Sequence, residues 1–199
     1  MHPTRRLILA APALLLATRA LAEVAVGTTR GLTGSATLTR GAAPKALMPA
    51  DPLMVGDTVA TGAASTAALE LFTSTQIQLG PEAQFLIDQF SADLGGVITV
   101  GGPMVFDRPD DLPKLDLTVQ SAFAQIGVRG TRFFAGPLNG TFSVFVQRGR
   151  VSVQAAGESR ELGAGDGLDI AAAGAAPGPV GQWKAPRIAA AFALVGLTP

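Results

Sequence analysis

The chain has 199 residues, 15 basic and 15 acidic side chains, no cysteine, no tyrosine, and a single histidine, His2. The missing cysteines exclude a disulfide framework and a lipoprotein anchor. The balanced charge, with no basic patch, excludes the phosphate neutralisation on which nucleic-acid binding depends.

The chain opens with Arg5-Arg6, an apolar run from Leu7 to Ala17, and Ala20-Leu21-Ala22 before Glu23. These are the three parts of a secretory signal peptide, residues 1–22. The apolar run is too short to cross a bilayer, which takes about 20 residues. Thr4-Arg5-Arg6-Leu7-Ile8-Leu9 also fits a twin-arginine export motif, so the Sec and twin-arginine routes both stay open. Either route places the mature chain in the periplasm or outside the cell. Cleavage after Ala22 removes 22 of the 199 residues and leaves 177, a length suited to one domain. Arg5, Arg6 and Arg19 leave with no acid, so 12 basic face 15 acidic side chains, a net charge of −3. His2 leaves too. Without imidazole, thiol or phenol, serine–histidine and cysteine–histidine catalysis, most zinc sites and tyrosine acids are excluded. Carboxylate pairs, a serine–lysine dyad and oxygen-ligated calcium remain.

From Glu23 onward the chain reads as short strands. Val24–Val26 and Ala36–Leu38 are predicted strands separated by glycine-rich Gly27–Gly34, and Gly41–Pro52 is a predicted loop. Gly56-Asp57 is a turn: glycine supplies the unusual φ, and aspartate can bond its own backbone. Ala67, Leu69 and Leu71 recur at period two, followed by Ile77 and Leu79, the Gly80-Pro81 turn, then Phe85 and Ile87. Glycines delimit Val97–Val100, Met104–Phe106 starts another strand, and Asp107–Lys114 is an acidic, proline-broken loop. Leu115, Leu117 and Val119 lead into Val119–Gly136, where Ala122, Ala124, Ile126 and Val128 line one strand face. Gly127 and Gly130 bracket Val128-Arg129, where a Cβ would be costly. Asn139-Gly140 is the strongest hairpin signal, joining Thr131–Ala135 to Phe142, Val144 and Val146. Arg148-Gly149-Arg150 turns into Val151 and Val153, and Leu162–Leu168 closes the domain.

Strand, loop and Gly-Asp turn recur near both ends, at Gly34–Val59 and Gly149–Leu168, read as two similar turns. Ala171–Gly181 is an Ala/Gly/Pro linker, and Pro186–Leu197 has Ile188, Phe192 and Val195 at helical spacing, with Gly196 to end it. The prediction is all-β: one domain of many short strands over residues 23–170, with a linker and short C-terminal helix over 171–199.

Two stretches carry a family resemblance. Ile126-Gly127-Val128-Arg129-Gly130-Thr131, with Phe133, is similar to the V-R-G-T-x-F core of the FecR-like domain. Leu53–Gly62 resembles that family's L-x-x-G-D-x-V-x-T-G segment. Gln120-Ser121 departs from the family's Thr-Pro, and Thr73-Ser74-Thr75 from its Asp-Gly-Ser. The resemblance implies a sandwich- or solenoid-like β-domain in which Gly56, Asp57, Val128, Arg129, Gly130, Thr131, Phe133, Gly165 and Asp166 are signature residues with structural roles. In the best-known members the domain lies outside a membrane helix and a cytoplasmic segment that controls a sigma factor. This chain shows neither, so the expectation is a stand-alone exported form.

Each candidate site has a functional and a structural reading. Arg129 could grip an anion with its planar fork, but flanking glycines favour a structural ion pair with Asp57, Glu70 or Asp166. Asp107, Asp110, Asp111 and Asp116 could ligate calcium, but the EF-hand glycine and terminal glutamate are missing, which leaves a solvated loop. Gly163–Gly167 has no following helix and reads as a tight turn, not a phosphate loop. Arg148 and Arg150 read as a solvated turn, and Trp183 as an anchor for the tail. No cofactor or metal is predicted. The function expected is a non-catalytic protein-interaction or signal-sensing module of the cell envelope, with an envelope protein as partner. Binding of polysaccharide or peptidoglycan is the alternative. A third class, a carboxylate-only hydrolase, would need Asp57 or Asp166 clustered with Glu70.

Overall fold

The structure, a computed structural model, describes residues 24–71, 74–91, 94–113, 115–128 and 130–199. The signal peptide expected at the start of the chain lies outside the described residues.

Among the described residues, two nine-stranded sheets form the domain. The first runs, edge to edge, β18 (Gly181–Gln182), β17 (Asp166–Ile170), β14 (Thr141–Arg148), β13 (Arg132–Leu138), β10 (Met104–Asp107), β7 (Thr75–Leu79), β6 (Thr66–Leu71), β1 (Ala25–Thr33), β4 (Pro52–Met54). The second runs β16 (Glu158–Gly163), β15 (Arg150–Ala155), β12 (Gln125–Val128), β11 (Asp116–Gln120), β9 (Gly95–Gly101), β8 (Gln84–Ser91), β5 (Thr58–Thr61), β2 (Ala36–Arg40), β3 (Ala43–Ala46). The chain lays a strand or hairpin in one sheet, then the next in the other, and so advances along both. It is a sandwich wound like a solenoid, which joins the two predicted alternatives. Among the described residues one pairing is parallel, β9 with β11. It arises because lone β10 crosses to the first sheet between them.

Period-two alternation buries one face of each sheet against the other. Leu69, Ile77, Phe106, Phe133 and Val144 meet Leu38, Phe85, Ile98, Val119, Ile126 and Val153 in the main core. A second core lies on the outer face of the first sheet. There Val105, Phe134 and Phe145 pack against Ala191, Phe192 and Val195 of the C-terminal helix α1 (Ala185–Leu194) and the residue after it. Burial on both faces explains why Phe133-Phe134 and Val144-Phe145-Val146 are adjacent apolar residues and not alternating ones. Helix α1 has proline in its first turn. It ends where Gly196 takes a φ of +75° and the Leu197 N–H donates to the Phe192 carbonyl at 3.0 Å.

Two loop expectations are corrected. Glycine-rich Gly27–Gly34, expected to separate two strands, instead supplies most of β1 through Thr33, held between β4 and β6 with register shifts on either side. Glycine is required at residue 27 because a Cβ there would stand 2.6 Å from the Glu70 carbonyl oxygen. Gly41–Pro52 contains β3, an exposed edge strand whose Pro44 and Lys45 discourage further pairing. The Asn139-Gly140 hairpin forms as expected, with φ of +53° and +84° and Leu138 opposite Thr141.

Candidate functional site: signature turns, ion pairs and the tail clamp

Asp57 is wholly buried, and its carboxylate is gripped at both oxygens by Arg40: Nε to Oδ1 at 2.8 Å and a terminal nitrogen to Oδ2 at 2.7 Å. The Met54 N–H also donates to Asp57 Oδ2 at 2.8 Å. The same turn recurs twice. Gly163 donates to Asp166 Oδ2 and Met48 to Asp51 Oδ2, each at 2.8 Å. The residue before each aspartate has positive φ: Gly56 +87°, Gly165 +87°, Ala50 +68°. A Cβ added at Gly56 would meet nothing within 4 Å, so conformation, not crowding, selects glycine there. The sequence repeat is therefore a repeated turn, each aspartate closing the backbone that leads to the next strand.

Val128, Thr131 and Phe133 are buried, Val128 and Phe133 in the main core. The Thr131 carbonyl accepts the Arg108 N–H at 3.0 Å. Gly130 has a φ of +57°, and a Cβ on Gly149 would collide with its carbonyl. Arg129 lies outside the described residues. The three carboxylates proposed for it are engaged elsewhere: Asp57 with Arg40, Glu70 with Arg30 at 2.7 Å, and Asp166 with the Gln182 amide at 2.5 Å. Arg30 and Arg40 are thus the partners that sequence reasoning missed. Each stands 17 or 40 residues from its carboxylate, and no local pattern links them.

The acidic loop is less solvated than expected. Asp107 bonds Arg148 at 2.9 Å and lies 3.5 Å from Arg132, and Asp110 pairs with Arg148 at 3.0 Å. Burial lowers the Arg148 pKa, but the bonds to Asp110 and Asp107 outweigh it, so the net shift is upward. Arg108 is buried and reaches Thr75 Oγ1 at 3.1 Å and the Pro113 carbonyl at 2.6 Å. Burial pushes its pKa down. Among the described residues no group of three or more acids or histidines could hold a metal ion.

Trp183 anchors the tail. Its indole stacks on Phe145 at 4.9 Å, and Arg187 of α1 lies 3.9 Å over it. The Arg187 guanidinium continues to Asp169 Oδ1 at 2.5 Å, where Ser143 Oγ also donates at 2.6 Å. Gly167 lies beneath the indole, and a Cβ there would overlap it. We expect Gly167→Ala to displace Trp183. Because this is the only tryptophan, a red shift of its emission with a lower Tm would report the undocking. An unchanged spectrum would show that the tail does not rest there.

Burial works against the Asp169 charge, but Ser143, Arg187 and Thr141 outweigh it and hold its carboxyl below the usual range. A depressed carboxylate contributes stability above its unfolded pKa of about 3.9 and loses it as pH falls through the lower folded value. The Trp183 signal should therefore hold at neutral pH and fade in acid. Asp169→Asn should weaken docking at pH 7 and flatten that dependence. An acid transition identical to the parent's would contradict this.

The family model described as FecR protein matches residues 57–152, from Asp57 through Ser152 of β15. Over that stretch the chain is similar to the FecR family. Two crystal structures of a proposed anti-sigma factor from Parabacteroides distasonis ATCC 8503, at 2.50 and 1.65 Å resolution, are similar in fold. Each has a TM-score of 0.55 at 15% identity and covers 64% of this chain and 60% of the other. The matched region thus spans three fifths of that protein. A search of curated proteins gave no match.

Proposed function

We propose that this chain is an exported, non-catalytic module of the cell envelope that relays a signal by binding a protein partner. The observation that carries the reading is the FecR-family match over residues 57–152. Its described signature residues are spent on turns and core: Asp57 on Arg40, Gly56 and Gly165 on left-handed backbone, Thr131 and Phe133 on burial. The exposed faces are left for recognition.

Strand addition at an edge, one route to such binding, finds little support. β3 carries Pro44 and Lys45, β16 carries Glu158, Arg160 and Glu161, β4 has three residues and β18 two. A partner would meet a face instead. A carboxylate hydrolase is also disfavoured. Asp166 and Glu70 sit on strands five places apart in the first sheet, about 24 Å at the usual strand spacing, well beyond the separation of a catalytic pair.

Crosslinking in the intact envelope, with the chain as bait, tests the proposal. Recovery of one membrane protein or transporter at near-stoichiometric yield is expected. Recovery of no protein would overturn it.

A further inference from the structure

We propose that the cleft beside Phe123, at one end of the second sheet, binds a neutral oligosaccharide. This goes beyond the protein-binding role and uses a different surface. The cleft has a volume of about 500 Å³ and is lined by Phe123, Gln125, Gln154, Glu158 and Ser159, with Gly174 of the linker at its rim.

The aromatic wall is preorganised. Phe123 is half-buried and stacks on Phe142 at 4.7 Å with the rings 8° from parallel. Its loop is tied to itself: Ser121 Oγ accepts the N–H groups of Phe123 and Ala124 at 3.2 and 3.0 Å, and the Ser121 N–H donates to the Ala124 carbonyl at 2.9 Å. Binding would therefore cost little ordering of this loop.

The polar wall is a cross-strand row. Gln120 lies opposite Gln125, Gln125 opposite Gln154, and Gln154 opposite Ser159, each about 4.8 Å from the next. Gln125, Gln154 and Ser159 are exposed. From Gln120 the row reaches Thr99 and is then interrupted by Leu86, so the polar stretch of the row runs from Thr99 to Ser159. Amides and hydroxyls both donate and accept, as sugar hydroxyls do, and a pyranose also offers a C–H face to an aromatic ring. A row of such groups at strand spacing suits a chain of sugars.

Charge argues against other ligands. Among the described residues the one ionisable lining group is Glu158, which pairs with Arg160 at 2.6 Å. Among the described residues no cation lines the cleft, so phosphate or a polyanion finds no donor fork there. The bordering strand β16 is an edge studded with charge, which resists an added peptide strand.

Nuclear magnetic resonance titration of the full chain with chitotetraose, and separately with maltotetraose, tests the inference. Saturable shifts confined to residues 121–125 and 154–159 are expected, with a Kd of about 1 mM. The double variant Gln125→Ala/Gln154→Ala should weaken binding about tenfold, the loss of roughly 1.4 kcal/mol, with Tm unchanged. Glu158→Gln should bind as the parent does. Absence of shifts with both sugars, shifts centred elsewhere, or a double variant that binds like the parent would overturn the inference. So would loss of binding in Glu158→Gln, which would make the Glu158 carboxylate, and not the amide row, the group that holds the sugar.

Discussion

Asp57→Ala should lower the unfolding free energy by about 2–4 kcal/mol, a buried-pair loss discounted because the Arg40 left behind is partly exposed. The carboxylate has no solvent exposure, while the Arg40 side chain is 37% exposed. The two substitutions should therefore differ. Arg40→Ala leaves a buried carboxylate still accepting the Met54 N–H, whereas Asp57→Ala also opens the turn that leads into β5. Asp57→Asn keeps the shape and one acceptor and should fall between. Urea unfolding reads this as a shift in midpoint at constant slope. If Asp57→Ala kept its midpoint but lost partner capture, the residue would belong to a binding site and the structural account of the signature would fail.

Phe133→Ala should cost about 3–5 kcal/mol, because a large side chain leaves a cavity that its neighbours fill only partly. Phe133 is wholly buried, and its ring stacks on Phe106 at 5.3 Å in the main core. Phe133→Leu retains much of the volume and should cost less. Phe134, next in sequence, points the other way into the smaller core under α1. Alanine there should destabilise the chain and also loosen the tail, whereas Phe133→Ala should leave the Trp183 signal intact until the whole domain unfolds. A Phe133→Ala midpoint within error of the parent would contradict the assignment of this signature position to the core.

Much of this architecture is written in period two. Leu117 and Val119, Ile126 and Val128, and Val151 and Val153 alternate as they would on any sheet with one buried face. The Asn139-Gly140 hairpin and the spacing of Ile188, Phe192 and Val195 were equally legible. What escaped is long-range. Gly27 reads as a loop residue until a neighbouring backbone is seen pressed against it. Ala50, Ala64 and Glu82 take positive φ in turns that carry no glycine signal at that position. The arginines that neutralise Asp57, Glu70, Asp107 and Asp169 come from strands or a helix far along the chain, so composition predicts that partners exist but not which. The Phe123 cleft was invisible for the same reason. Gln125 and Gln154 are ordinary solvent-facing residues until antiparallel pairing sets them side by side.

The central claim is that the exposed faces of this FecR-like domain, and not its signature residues, meet a protein partner. The most direct test places a photocrosslinking side chain in turn at Leu94 on a hairpin tip, Gln84 on the second sheet and Ala189 on α1, all exposed, and irradiates intact cells. The account predicts a single discrete protein adduct from one of these faces and none from the others. Failure of all three positions to yield a protein adduct, with the chain folded and in the envelope, would contradict it.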